Sequence, residues 1–161
     1  MKNEIMKKLD KYMSEKVKEI EFYKNEIEAI KNNFKKQVKE EKMERLSISV
    51  YMKKVEDNQS SINAFKEKIE LNKEEIEYMN HLSTAPEEIY EIELGTIDYR
   101  LDELKYALKS NLTSQRKILK GDYEFKVIKS MVEGLKQEMK NLSYEQATLL
   151  RKKDILYKVM S

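Results

Sequence analysis

The sequence predicts an all-α protein. A long amphipathic, coiled-coil-like helical region at the N-terminus, either one straight rod or folded back on itself, is followed by a C-terminal antiparallel helical hairpin. Three observations support this fold class. The 161 residues include only three Gly and one Pro, which are the residues that helices tolerate least. Apolar side chains recur every seven residues through the first half of the chain. Charged residues make up 39% of the sequence, as expected for long helices with one apolar and one solvated face.

One heptad register covers the N-terminal region, residues 1–83. Its a positions are Met6, Met13, Ile20, Ile27, Phe34, Glu41, Ile48, Val55, Ile62, Ile69 and Ile76, and ten of these eleven are apolar. Position d, three residues later, is apolar at six of eleven places, and Asn58 and Asn72 are among the polar ones. A seam with this period stays in contact with a neighbouring helix only if the helices supercoil. The region is therefore predicted to lie lengthwise against another helix.

The register weakens where Gln37, Glu41 and Glu44 occupy three successive seam positions. No Gly or Pro forces a break there, so two arrangements are compatible with the sequence. One is a single rod of about 80 residues, on the order of 120 Å long. The other folds back near residues 44–50 into two helices. The uninterrupted phase favours the rod, because a turn has no evident reason to preserve the register.

The second boundary lies around the single proline. Thr84 is predicted as the N-cap of the next helix, Pro86 as a first-turn residue and Glu87 as the capping-box partner. A helix over 87–119 follows from apolar residues at three-four spacing. The segment 88–103 also fits a β-hairpin with a Gly-Thr turn, but the helical pattern explains more positions and continues for three more turns.

The last boundary is a Lys-Gly-Asp turn. Gly121 is predicted to adopt a left-handed conformation, and Asp122 to cap the next helix. A helix over 123–160 then carries apolar residues at all five of its a positions: Ile128, Leu135, Leu142, Leu149 and Leu156. The helices 87–119 and 123–160 have similar lengths and a short connection, so they are predicted to pack antiparallel. Regions 1–83 and 84–161 are expected to form one structural unit.

Composition excludes several kinds of site. The chain has no Cys and one His, so disulfides, thiolate zinc sites, cysteine nucleophiles and sites with several imidazole ligands are excluded. No G-x-x-x-x-G-K-[ST] phosphate-binding loop occurs. We therefore expect no catalytic residues, no cofactor, no metal and no small-molecule substrate, and the chain is predicted not to be an enzyme. No segment carries a motif that identifies a family.

Charge and hydropathy bear on location and partners. The net charge is +2, and no block of the chain has the basic excess that drives nonspecific phosphate binding. The N-terminus is charged throughout and the apolar runs are short, so neither a secretory signal nor a membrane span is expected. The expected location is the cytoplasm, or the host-cell cytoplasm if a phage encodes the protein. Richness in Lys, Asn, Ile and Tyr is typical of an AT-rich genome and suggests a bacterial or phage accessory protein.

These patterns predict a non-enzymatic helical interaction protein, acting as a scaffold, an adaptor or an inhibitor of a partner complex. A straight seam would exceed what two C-terminal helices can cover, so a homo-oligomer or a protein partner is expected. The expected partner-binding residues are Tyr23, Ile27, Ile30, Phe34, Tyr51, Val55, Asn58, Ile62, Phe65 and Ile69. The alternative is a nucleic-acid-associated protein that uses Lys31, Lys35, Lys36, Lys39, Lys42 and Arg45, although three Glu lie among these bases.

Overall fold

The computed structural model describes residues 2–40 and 48–161, which form four α-helices. These are α1 (Lys2–Lys39), α2 (Ile48–Thr84), α3 (Glu88–Lys120) and α4 (Phe125–Met160). The described ranges contain no strand, so the all-α prediction is confirmed, and the β-hairpin alternative for residues 88–103 is wrong. None of the four helices is long and apolar enough to cross a lipid bilayer. The chain divides into two compact units, Asn3–His81 and Leu82–Ser161, which are described separately.

In the first unit, α1 and α2 run in opposite directions side by side. The Asn72 amide donates to a carboxylate oxygen of Glu19 at 3.0 Å. Further along α1, the ring of Phe34 lies 6.2 Å from the ring of Tyr51, which comes earlier in α2. In one straight helix, Glu19 and Asn72 would be about 80 Å apart, so the prediction that residues 1–83 form a single rod is wrong. Of the predicted fold-back site, residues 44–50, residues 44–47 lie outside the described residues, and residues 48–50 belong to the first turn of α2.

An isoleucine cluster forms the core of the first unit. Ile20 and Ile27 of α1 pack with Ile62 and Ile69 of α2, and each side chain is less than a tenth exposed. All four are a positions of the heptad register, because a period of seven keeps them on one face of each helix. Burial of each side chain contributes roughly 2 kcal/mol to folding. Four partly buried side chains surround the cluster: Tyr23, Ile30, Phe65 and Ile76.

The boundary between α2 and α3 differs from the prediction. Thr84 is the last residue of α2, and α3 begins at Glu88, so Thr84 does not occupy the N-cap of α3. That position belongs to Glu87, whose side chain makes no capping hydrogen bond. The Ile89 amide instead donates to the Pro86 carbonyl at 3.1 Å. This tight i→i+3 bond organises the first turn in place of the predicted capping box.

A buried tyrosine lies at this boundary. Tyr90 is 4% exposed, and its hydroxyl donates to the Leu82 carbonyl at 2.7 Å. Leu82 belongs to the last turn of α2, where carbonyl groups have no partner within the helix. The bond therefore satisfies one such carbonyl. Burial, with a smaller contribution from the charges of Glu87 and Glu93, raises the pKa of Tyr90.

In the second unit, α3 and α4 pack together in opposite directions. The Arg100 guanidinium reaches Glu145 near the middle of α4, and the Asn111 amide reaches the carbonyl of Leu135 nearer its start. Seven-residue spacing again selects the buried positions of α3, since its buried residues are Tyr90, Ile97, Leu104 and Asn111. The buried residues of α4 are Ile155, Leu156 and Val159.

The turn between α3 and α4 also departs from the sequence prediction. Gly121 has φ −76° and ψ 159°, which is extended backbone, so the prediction of a left-handed conformation at Gly121 is wrong. The N-cap of α4 is Glu124 rather than Asp122, and the helix begins two residues later than predicted, at Phe125. A Cβ added to Gly121 would lie 2.7 Å from Cδ2 of Tyr123. The close approach of this ring, rather than a special φ, is the reason that this position suits glycine.

Candidate interaction surfaces

All ten residues predicted to bind a partner lie along the seam between α1 and α2. They either belong to the isoleucine cluster, pack against it, or line the seam beyond it: Tyr23, Ile27, Ile30, Phe34, Tyr51, Val55, Asn58, Ile62, Phe65 and Ile69. The rings of Tyr23 and Phe65, for example, lie 5.8 Å apart across the seam. The chain's own helices thus cover the apolar stripe, and a second copy is not required to bury Ile27, Ile62 and Ile69.

A small cavity interrupts this seam beyond the isoleucine cluster. It has a volume of about 140 Å³, and the residues that line it are Ile30, Lys31, Phe34, Val55, Asn58, Gln59 and Ile62. Its lining is mainly apolar, and its volume corresponds to about one large aliphatic side chain or a few water molecules. The cavity therefore marks loose packing along the seam rather than a site shaped for a cofactor.

A polar layer crosses the same seam on the other side of the cluster. The ammonium group of Lys16 lies 3.0 Å from a carboxylate oxygen of Glu75 and 3.4 Å from one of Glu19. Glu75 and Asn72 are both buried, and the Asn72 amide also binds Glu19. A shift of one heptad would move the buried Glu75 carboxylate away from Lys16. The layer therefore favours one register of α2 on α1.

The predicted nucleic-acid residues are only partly described. Lys31, Lys35, Lys36 and Lys39 lie on the last turns of α1, whereas Lys42 and Arg45 lie outside the described residues. Lys31 pairs with Glu28 at 3.4 Å, and Lys36 pairs with Glu40 at 3.8 Å. Neighbouring carboxylates on the same helix thus offset part of the positive charge that phosphate binding would use.

An ion pair links the middle of α3 to α4. Two nitrogen atoms of the Arg100 guanidinium donate to the two carboxylate oxygens of Glu145, at 2.7 and 3.0 Å, and a third bond reaches Glu103. The hydrogen bond from Arg100 lowers the pKa of Glu145, and both carboxylates raise the pKa of Arg100. Because the side chains of this pair remain about two-fifths exposed, water screens it and its contribution to stability is modest.

A second polar group lies inside the α3–α4 seam. Asn111 is buried, and its amide donates to the Leu135 carbonyl at 2.9 Å and to Glu138 at 3.3 Å. Its carbonyl accepts a hydrogen bond of 2.7 Å from Gln115. An apolar side chain would fill this heptad position in a uniform seam. These hydrogen bonds offset the cost of burying an amide and specify how the two helices align.

Apolar side chains that neither seam covers lie on the two helix ends that the α3–α4 turn joins. We call this group the turn patch; its members are Leu112, Leu119, Tyr123, Phe125, Val127 and Met131. Phe125 is 79% exposed and Leu119 is 62% exposed. Sequence reasoning missed this group. A signal was present, because Tyr123 lies in the turn, where polar residues are usual, and Phe125 and Val127 follow it at alternate positions at the start of α4.

The remaining chemistry-bearing candidates have structural explanations. His81 lies in the last turn of α2, where a basic side chain favours the negative helix end, and its ring lies 6.0 Å from that of Tyr78. Within residues 2–40 and 48–161, no three His, Cys, Asp or Glu side chains come together as a metal-binding group.

No protein-family model, curated protein or solved structure matches the chain. Functional proposals therefore start from the chain's own surfaces.

Proposed function

We propose that the chain is a non-enzymatic protein–protein interaction protein, acting as a scaffold, an adaptor or an inhibitor of a partner complex. The observation that carries the proposal is the turn patch, where six large apolar side chains stay in contact with water. Large apolar patches on a folded protein are typical of binding surfaces, and aromatic residues are enriched at interfaces. The patch lies on two helix ends joined by a short turn, so little ordering is needed when a partner binds.

We also propose that each helix pair packs as a short antiparallel coiled coil. The seven-residue spacing of the buried residues supports this for α1 and α2, and for α3 from Tyr90 to Leu104. The polar layers at Lys16 and at Asn111 support a single alignment within each pair. In this arrangement the seams provide a rigid support, and the outer helix surfaces remain available to other proteins.

Affinity capture with the full-length chain tests the proposal. A partner captured from the source organism is purified, and its dissociation constant is measured against the wild type and against Leu119→Ser with Phe125→Ser. We expect the double variant to weaken binding at least tenfold, because large apolar anchors dominate such interfaces. The matched control is Phe22→Ser on α1, also exposed, which we expect to leave the constant unchanged. Equal affinity of the wild type and the double variant contradicts the proposal.

The alternative proposal is nucleic-acid binding by the Lys-rich end of α1. Lys35, Lys36 and Lys39 line one open depression together with Asn32, and this supports it, although Glu40 lies in the same depression. A salt titration separates the two functions. Phosphate contacts lose affinity steeply as salt rises, whereas apolar docking at the turn patch changes little. A steep salt dependence that disappears in Lys35→Glu with Lys39→Glu would favour the alternative.

A further inference from the structure

Helix α3 carries a second apolar stripe besides the seam that packs on α4. Ile92, Tyr99 and Tyr106 follow one another at intervals of seven residues, and each is at least two-thirds exposed. We call these three residues the outer stripe. Each lies two positions after a buried seam residue, and at 100° per residue this places the stripe on the opposite side of the helix from the seam. The stripe spans about 21 Å of helix.

The charges of α3 are separated along its length. Residues 88–103 contain six acids and one base, whereas residues 104–120 contain five bases and no acid. The outer stripe straddles this division, since Ile92 lies in the acidic half and Tyr106 in the basic half. An antiparallel neighbour with the same sequence would place basic residues over acidic ones at both ends. A parallel neighbour would place like charges together.

We propose that α3 pairs antiparallel with α3 of a second copy of this chain, through the outer stripe. With Tyr106 of one copy opposite Gly95 of the other, Lys109 lies opposite Ile92, one residue from Glu91, and Lys105 lies about one helical turn away, opposite Thr96. Two-fold symmetry repeats the contact. Gly95 suits this arrangement, because a Cβ built there would meet nothing within 4 Å. The position leaves open space between Ile92 and Tyr99 that can receive an aromatic ring.

The predicted interface is small. One helix pair buries less than the roughly 1,200 Å² that defines the lower limit of standard protein interfaces. The dimer should therefore be weak, with a dissociation constant on the order of 10 to 100 µM. Its apolar centre holds two tyrosines from each copy, a residue type that is enriched at interfaces. Its charged ends make dimerisation weaker at high salt, because exposed ion pairs are screened.

A charge-swap experiment tests both the face and the direction of pairing. One variant carries Lys105→Glu and Lys109→Glu; the other carries Glu88→Lys and Glu91→Lys. Sedimentation equilibrium measures the dimerisation of each variant and of their equimolar mixture. Each variant alone should dimerise at least tenfold more weakly than the wild type, because like charges meet at both ends. The mixture should regain wild-type dimerisation, because opposite charges meet again at both ends.

Two controls keep the outcome interpretable. Lys126→Glu with Lys129→Glu changes the same charge on α4 and should leave dimerisation unchanged. Circular dichroism shows whether each variant remains helical, and recovery in the mixture itself shows that both variants fold.

A wild type that stays monomeric up to about 1 mM overturns the inference, since that is at least tenfold above the expected dissociation constant. So does a dimer that persists in both charge variants, or a mixture that gains nothing over its components. A dimer lost in the Leu119→Ser, Phe125→Ser variant but retained in the charge variants would also overturn it, because the interface would then be the turn patch. None of these results removes the proposed function, whose test is binding of a different protein.

Discussion

The two units bury similar seams but differ in the surface that they leave exposed. Among the described residues, six exposed large apolar side chains belong to Asn3–His81 and twelve to Leu82–Ser161. In the first unit, the residues that looked most suitable for a partner are buried between α1 and α2. In the second, apolar residues outside the seam form the turn patch and the outer stripe. The comparison teaches that a regular heptad seam marks where a helix packs within the chain, whereas exposed apolar residues outside the seam are where we propose that another protein binds.

The units also differ in how they accommodate polar residues in a seam. The first uses an ion pair, in which the buried Glu75 carboxylate meets Lys16. The second uses an amide, since Asn111 bonds to a backbone carbonyl and to Glu138 and Gln115. An amide carries no net charge, so its burial is less costly than burial of a carboxylate. Both layers nevertheless limit the ways in which the helices can align.

The largest predicted effect tests the difference between seam and surface within one helix. Leu104→Ala removes a fully buried side chain from the α3–α4 seam and should lower the free energy of unfolding by about 2–5 kcal/mol, as expected for a core cavity. Leu112→Ala, on the turn patch, should cost less, about 1 kcal/mol, because this side chain is 44% exposed and removes less apolar surface from water. Urea unfolding of both variants gives the two values. Equal losses would show that seam and patch are not distinct.

An intermediate effect is predicted for the polar layer of the second unit. Asn111→Ala leaves the Leu135 carbonyl and the Gln115 amide without their buried partner, and should lower the free energy of unfolding by about 1–3 kcal/mol. The control is Asn63→Ala on α2, whose exposed side chain bonds to Gln59 and should have little effect. Urea unfolding measures both changes. A stability for Asn111→Ala within error of the wild type would show that the layer contributes nothing.

A smaller effect is predicted for the ion pair of Arg100 and Glu145. Because Arg100 lowers the pKa of Glu145 below its ordinary value of 4.5, the pair stabilises the fold fully above that pH. The contribution of the pair to stability is lost as the pH falls through the lowered pKa that Glu145 has in the folded protein. Glu145→Gln should therefore be less stable than the wild type at neutral pH, by less than Asn111→Ala, and the difference should narrow in acid. Urea unfolding at several pH values measures this. If the free energies of unfolding of the wild type and of Glu145→Gln differ by the same amount at pH 7 and at pH 2.5, the result contradicts this account.

The buried faces of the helices could be predicted from the sequence. The a positions Ile20, Ile27, Ile62 and Ile69 are all buried, because a single period governs which side of a helix faces its neighbour. The helix through Gly95 was also predicted correctly, since three-four spacing on both sides of the glycine outweighs its low helix propensity. These features depend on the spacing of many residues, and spacing is what the sequence shows directly.

The helix ends and the pairing partner could not be predicted. The uninterrupted heptad phase across residues 37–44 favours a rod, yet an antiparallel return keeps the same phase when the connection has a suitable length. Residue type predicts Thr84 and Gly121 as caps, whereas a tight backbone turn after Pro86 and the close approach of the Tyr123 ring determine the structure at those ends. The outer stripe repeats every seven residues just as the seam does, so spacing alone does not tell which of the two faces of α3 packs on α4. The charge division of α3 is likewise hidden in a sum over the whole helix, because its two halves cancel.

The central claim is that α2 of the same chain covers the apolar seam of α1. Because the chain has no Cys, spin labels can be attached at Lys24→Cys and Lys66→Cys alone. Electron paramagnetic resonance on labelled chains diluted in excess unlabelled chain then measures the distance within one molecule. The account predicts a distance below about 30 Å, as two adjacent helices require. A distance near 60 Å, the length of 42 residues of continuous helix, would contradict it.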